Sequence, residues 1–368
     1  PGSGRLASLT SDGVADRRES LHRGFGVNCA YIGHDLHGLV WGPDGKLYFS
    51  VGDRGYDVTS REGRRFQQPR RGAVFRMHAD GPEFEVVHVG LRNPQELAFD
   101  AYGNLFADDN NCDKGDDSRL VYVVEGGDSG WNMAFQSIEE PYLVGPWHAE
   151  KMWHASPTPG QPAYVVPTGG RIGSGPSGFV YNGTDFLPAD YREHFFMANY
   201  TGLGGVETFR VEPNGASFKV VDYRDFLKPL RATDVEFGYD GKLYVSDFGV
   251  LDWSGSGDVG RIYTVFDPRR ANDPKLLEVK TLFAAGFRQR ATDELLALLR
   301  HADMRVRQRA QFALAERGDA VAALLTNLAT SGEPLLPRLH AVWALGQIAE
   351  HDKNVLAPLT KLLDDADG

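Results

Sequence analysis

The sequence predicts a mainly β protein: a six-bladed-type β-propeller, about four blades of it present, followed by α-helical HEAT-like repeats. Three observations carry this: a hairpin pattern that recurs through the first 267 residues, a switch to helical periodicity after them, and a second repeat within the helical part. The 368 residues include 43 glycines and 11% aromatic residues, a balance that favours turn-rich strands over a helical bundle. Length suggests two domains. The formal net charge of −11 argues against general nucleic-acid binding. No apolar run is long enough to span a membrane. Two cysteines, Cys29 and Cys112, exclude a Cys-based zinc site, and no C-x-x-C-H occurs for covalent haem.

The hairpin pattern is seen in LVWGPDGKLYFSVGD (39–53), LAFDAYGNLFADDN (97–110) and VEFGYDGKLYVSDFG (235–249). Each is an apolar triplet, a turn closed by Gly45, Gly103 or Gly241, and a second strand-like run. The wide gap between the last two copies leaves room for a fourth, and GFVYNGTDFLPADYREHFFMANY (178–200) supplies it with a longer loop inside its hairpin. VFRMHADG (74–81), VYVVEGGD (121–128), TFRVEPNG (208–215) and RIYTVFD (261–267) read as the strands behind these hairpins. Four such units fit propeller blades.

The expected division is a remnant or linker over 1–25, the propeller over 26–267, a linker over 268–275 and helical repeats over 276–368. In the last part RVRQRAQFALAERG (305–318) and LPRLHAVWALGQIA (336–349) superpose, with Ala310 on Ala341, Ala313 on Ala344 and Leu314 on Leu345. The alternative is an unrelated helical cap packed on the propeller. Pro1 in place of Met and the ending DDADG give the expectation of a fragment, with further repeats beyond Gly368.

Phase within the blades locates a mouth. Residues just before each innermost strand collect at one opening, and the hairpin turns lie at the other face. Those residues are His34, Arg92 and Leu230, with Arg231 next to the last. The loops 52–71, 108–120 and 247–258 return to the same mouth and exceed what a turn requires. One base candidate, several cations and a carboxylate-rich loop suit an anionic ligand, a hard metal and proton abstraction. Each element has a plainer alternative. His34 reads as base or as structural histidine, with His37 as competitor. The two also stand three apart, as metal-ligating pairs do. Loop 108–120, with Asp116 among its acids, reads as calcium loop or as solvated surface, and Arg61, Arg64, Arg65, Arg70 and Arg71 as a solvated loop.

The strings HDLHGLVWGPDGKLYFSVGDRG (34–55) and GLRNPQELAFDAYGNLFADDNN (90–111), with GGDSGWN (126–132) and GPSGFVY (175–181), resemble the soluble quinoprotein glucose, sorbosone and aldose dehydrogenases. Together with the helical repeats, the chain looks closer still to planctomycete-type "membrane-bound dehydrogenase" proteins, in which a propeller precedes HEAT-like repeats and a c-type haem domain. The resemblance implies a six-bladed propeller, hence two more blades and a secretion signal expected ahead of Pro1, with pyrroloquinoline quinone (PQQ) and calcium as cofactors, a sugar or related alcohol as substrate, and a periplasmic or extracellular location. An electron acceptor such as a c-type cytochrome domain is also implied. It implies His34 as general base, Arg92 and Asn93 as contacts to PQQ and the reacting oxygens, and Arg231 as a partner for a PQQ carboxylate. Asn111 and Cys112 match positions whose carbonyls hold calcium, and Asp116 is the nearby carboxylate. Thr233 stands where the family has a second Arg, and 199–207 lacks the family's Lys; Arg54 and Arg171 are cations available in their place. Two other functions are carried: a non-catalytic module that binds carbohydrate or protein, and a calcium-dependent lactonase-like hydrolase.

Overall fold

The structure, a computed structural model, describes residues 4–9, 15–27, 33–111, 118–134, 168–201, 204–249, 259–332 and 334–367. A two-stranded ribbon, β1 (Gly4–Leu9) and β2 (Ala15–His22), precedes four antiparallel blades. The first blade contains β3 (Leu36–Trp41) and β4 (Leu47–Val51). After a side hairpin of β5 (Tyr56–Thr59) and β6 (Arg65–Gln68), it continues with β7 (Gly72–Met77) and β8 (Glu85–Leu91). The second contains β9 (Pro94–Phe99), β10 (Leu105–Asp109) and β11 (Arg119–Val123). The short β12 (Gly127–Asp128) returns to pair with β8, and β13 (Gly170–Arg171) completes the second blade. The third holds β14 (Pro176–Tyr181), β15 (Phe195–Asn199), β16 (Gly205–Asn214) and β17 (Ser217–Leu227), and the fourth β18 (Ala232–Phe237), β19 (Leu243–Asp247) and β20 (Arg261–Val265). The strands β3, β9, β14 and β18 stand beside one another in that order, as the innermost strands of a propeller do.

The repeated turns have one construction. Gly45, Gly103 and Gly241 take φ of 80°, 85° and 79°, a left-handed conformation that glycine adopts without strain. In the first and fourth copies the turn aspartate also accepts the tyrosine hydroxyl four residues on: Tyr48 to Asp44 at 2.8 Å and Tyr244 to Asp240 at 2.9 Å. Apolar side chains of one blade meet those of the next. Tyr48 and Val74 pack with Leu97 and Phe99 between the first two blades, and Phe106 and Leu120 with Phe195 and Phe209 between the second and third.

The stretch 52–71 departs from the expected polar loop. Tyr56 and Val58 alternate with exposed neighbours and bury against Phe25, Phe75 and Phe84, which is the period of a strand. Its arginines are spread among carboxylates: Arg61 meets Glu19, Arg65 meets Asp57 and Arg71 meets Asp128.

Beyond the blades, Asp273 accepts Lys275 N and Pro274 opens α1 (Pro274–Ala285). There follow α2 (Thr292–Leu298), α3 (Met304–Ala315), α4 (Asp319–Ala329), α5 (Leu335–Ile348) and a 3₁₀ segment, Lys353–Asp364. Ala310, Ala313 and Leu314 of α3 and their counterparts Ala341, Ala344 and Leu345 of α5 are all buried. The repeats are also a cap, so the two sequence readings were not exclusive. Gln311 and Gln347 Nε2 both donate to the Pro43 carbonyl, at 2.6 and 3.0 Å. Met304 N donates to Gly183 O at 2.8 Å, and Tyr239 stacks on Phe283 at 3.8 Å. A Cβ on Gly103 would lie 2.9 Å from Trp343 Cζ2. The turns of all four blades thus rest on helices. No helix among the described residues is long and apolar enough to cross a membrane.

Candidate active site

In the second, third and fourth blades the second strand ends, away from the helices, in a buried Asp or Asn that holds its own blade's entry segment. Asp109 accepts Arg92 N and Asn93 N at 2.9 and 2.8 Å. Asp247 accepts Arg231 N at 3.0 Å, and Asn199 Oδ1 accepts Ser174 N at 3.1 Å. The ladder pairs Pro94 with Asp109 and Ala232 with Asp247, so Arg231 is the counterpart of Asn93 and Leu230 that of Arg92.

In the first blade Val51 takes that position, opposite Leu36, and a buried aspartate stands two residues on, Asp53. Asp53 Oδ1 lies 2.7 Å from His34 Nδ1, and Oδ2 accepts Trp131 Nε1 at 2.8 Å. An ionised carboxylate can only accept, so His34 Nδ1 carries the hydrogen and Nε2 keeps its lone pair. Asp53 is 1% exposed while the His34 side chain is 14% exposed, so a buried acceptor orients a ring that still reaches solvent. His37 has no such partner. Its Nε2 sits 3.2 Å from the Gly33 carbonyl, and burial holds its pKa below the usual value. The two histidines therefore face different groups and do not form a metal pair. Among the described residues, the group of three side chains spaced to hold a metal is His78, Glu83 and Glu350 at the helix contact. There Lys46 Nζ already lies 2.8 Å from Glu83.

Arg92 and Asn93 adjoin this dyad. The Arg92 carbonyl accepts Asp53 N at 2.6 Å, and its guanidinium lies 5.9 Å from the Trp131 ring centroid. A Cβ on Gly52 would meet the His34 carbonyl at 2.7 Å and Asn93 Oδ1 at 2.9 Å, so only glycine lets these two approach. Asn93 Oδ1 is buried without a hydrogen-bond partner among the described residues. Arg119 donates to Asp109 Oδ2 at 2.8 and 3.0 Å and fixes the carboxylate that positions both residues.

The remaining expected residues are more dispersed. Arg54 Nη1 is 3.8 Å from Asp35 Oδ1. Arg231 Nη1 donates to Tyr200 O at 2.9 Å. Arg171 is exposed on β13, paired with Arg119 in the ladder. The Thr233 hydroxyl is engaged with Ser246 Oγ at 2.7 Å. Asn111 N donates to Asn110 Oδ1 at 2.9 Å, while Cys112 and Asp116 lie outside the described residues, as does most of loop 247–258. Near the axis, burial pushes the Glu96 carboxyl up to about 8, with the carboxylates of Asp234 and Glu236 adding to the shift.

Sequence reasoning missed Asp53 and Trp131 as site residues. Trp131 lay in GGDSGWN, already a landmark, while Asp53 falls two residues beyond the position that carries Asp109 and Asp247 in the other repeats.

Comparison with known proteins places this geometry. The profile of a domain of unknown function (DUF7133) matches residues 6–249, and that of HEAT repeats matches 292–368. Quinoprotein glucose dehydrogenase B of Acinetobacter calcoaceticus is 32% identical over a stretch covering 32% of this chain and 30% of that protein. The matched region thus spans less than a third of that relative's length. Two solved structures named glucose dehydrogenase share the fold, with TM-scores of 0.51 and 0.50. Each is 20% identical and covers 72% of this chain, and the matches take in 72% and 73% of theirs.

Proposed function

The chain belongs to the DUF7133 family, and from that premise we propose that it is a quinoprotein oxidoreductase. It oxidises a sugar or related alcohol, with PQQ as hydride acceptor and calcium assisting. The carrying observation is His34 held through Nδ1 by the buried Asp53, beside Arg92 and Asn93. The quinoprotein relative supports the same reading.

The residues present fit such a cofactor. Asn93 Oδ1 is a buried polar atom lacking a hydrogen-bond partner among the described residues, and the guanidinium of Arg92 stands close by. Arg92, Asn93 and Arg231 would hold the cofactor, with Arg54 and Arg171 as further cations. Asn111, with Cys112 and Asp116 of the segment outside the described residues, would supply the oxygens for calcium. When bound, PQQ accepts the hydride and calcium polarises it. His34 Nε2 takes the proton of the hydroxyl borne by the carbon being oxidised, and with the hydride leaving that carbon the substrate becomes a carbonyl. Asp53 stabilises the imidazolium that forms, and the Arg92 guanidinium favours negative charge near the reacting oxygens. The electrons pass on to an acceptor such as a c-type cytochrome domain, and the protein works in the periplasm or outside the cell.

The test is to load the protein with PQQ and calcium and follow dye reduction over a panel of aldoses and alcohols. Saturable turnover that needs both additions supports the reading, and no PQQ uptake overturns it. One observation favours the alternative of a non-catalytic carbohydrate- or protein-binding module: Thr233 is occupied by Ser246, and Lys228 by Glu207 and Asp225 at 2.7 Å each. Glycan binding without turnover, indifferent to His34→Ala, would establish that reading.

A further inference from the structure

We infer that the outer edge of the third blade carries a second binding site, built for an oxyanion of the sulfate or phosphate type. This is the blade whose hairpin contains 13 residues, 182–194, where the other three use short glycine turns. The extra loop folds back toward β16 and β17. Between them lies a depression of about 410 Å³ lined by Asp190, Arg192, His194, Arg210, Asp222 and Arg224.

Three features of this place are not needed by the fold. The first is charge: three guanidinium groups face two carboxylates. Asp222 Oδ2 alone is shared by His194 Nε2 at 3.1 Å, Arg224 Nη2 at 3.8 Å and Arg210 Nε at 4.0 Å. The second is the bulge that puts Asp222 there. The ladder pairs Thr208 with Arg224 but Arg210 with Val221, so Asp222 and Tyr223 together stand opposite Phe209. The third is backbone conformation. Asp222 and Glu193 adopt φ of 51° and 59°, two of the four left-handed non-glycine residues described. Such conformations are strained for residues other than glycine and cluster where a side chain must be aimed.

Arg224 is prepared for a ligand. Its guanidinium carbon sits 4.7 Å from the Tyr191 ring centroid, and Nη2 donates to the Asp190 carbonyl at 2.7 Å. Its Nε is buried with no hydrogen-bond partner among the described residues. One Asp oxygen cannot satisfy two guanidinium forks and an imidazole. A tetrahedral oxyanion, with several acceptor oxygens, can engage both forks and displace the Asp222 carboxylate. The depression leaves room beyond the anion for a sugar ring, so the ligand is either the free ion or the same group on a sugar.

The experiment is calorimetric titration of the whole chain with inorganic sulfate, inorganic phosphate and a monosaccharide sulfate, at ionic strength held constant with chloride. We expect saturable binding, and a tighter Kd for the ester than for free sulfate means the sugar ring is also read. Arg210→Gln and Arg224→Gln should each weaken binding about tenfold or more, which is 1.4 kcal/mol or more. Asp222→Asn should tighten it about fivefold, because asparagine tolerates the left-handed conformation while the competing charge is gone. Arg224 packs on Tyr191, so Arg210→Gln, which touches only the Asp222 carboxylate, guards against a folding artefact. No saturable binding, binding indifferent to both arginine substitutions, or binding weakened by Asp222→Asn would each overturn the proposal.

Discussion

Asp53 and Asp109 are buried aspartates in neighbouring blades, yet they are used on different things. Asp109 stands at its strand end, opposite Pro94, and accepts two backbone N–H groups and the Arg119 fork, which hold its own blade together. Asp53 lies two residues past the matching position, Val51, and accepts a histidine ring and an indole N–H instead. The lesson concerns repeats. A blade becomes a site where a carboxylate beyond the strand end takes side chains as partners, while strand-end carboxylates of other blades keep the scaffold rigid around it.

Four predictions press on this contrast. The largest effect is expected from His34→Ala, which should lower kcat about 10²–10⁴-fold with little change in melting temperature, read by dye reduction and circular dichroism. Asp109→Asn should do the reverse and act on the fold. Leaving buried Arg119 without its carboxylate costs about 3–5 kcal/mol, measured by urea denaturation. Asp53→Asn should fall between. We expect kcat reduced about 10–100-fold and an altered pH–rate profile, because an amide can turn its NH₂ toward the ring and impose the wrong tautomer. If Asp53→Asn and Asp109→Asn behave alike, the contrast between the blades fails.

The smallest effect, taken over a single pH unit, is a pH dependence that differs between the axis and the helix contact. Folded Glu96 keeps its proton up to about pH 8 against about 4.5 when unfolded, so its contribution is complete below pH 4.5 and is lost as pH rises to 8. His340 is the opposite case. Burial and the neighbouring Arg307 push it down to about 3, its Nδ1 faces Gln311 Oε1 at 2.8 Å, and its Nε2 accepts from Arg307. Its contribution is complete above pH 6.5 and is lost as pH falls toward 3. Each limb slopes by at most ~1.4 kcal/mol per pH unit. Melting curves should show Glu96→Gln flattening the alkaline limb and His340→Gln the acid one.

The repeat was legible because its signals are local. Gly45, Gly103 and Gly241 mark turns, and the apolar triplets mark strands on either side. His34 and Arg92 were legible from phase alone, since residues at one point of a repeat collect at one end of a propeller. Asp53 was not, because its role depends on a partner 78 residues away, Trp131, which follows the short strand β12 that returns to the first blade. The hairpin 56–68 was hidden by its arginines, whose charge masked the alternation of Tyr56 and Val58. The cap was half legible. Helical period predicted the helices, but nothing local indicates that Gln311 and Gln347 seek the carbonyl of Pro43.

That last contact has a consequence for how the chain is made. Pro43 and Gln347 are 304 residues apart. At ordinary synthesis rates roughly 15–60 s separate their emergence from the ribosome. During that interval the glycine turns of the first blades exist without the helices that cover them. Contacts of such long range also slow the search for the native arrangement. The apolar underside, including Trp41, which meets Phe312 edge to face, stays open until the helices that cover it have been made. This gives holding chaperones an apolar surface to engage on the nascent first blades, and makes the arrival of α3 and α5 the step that closes it.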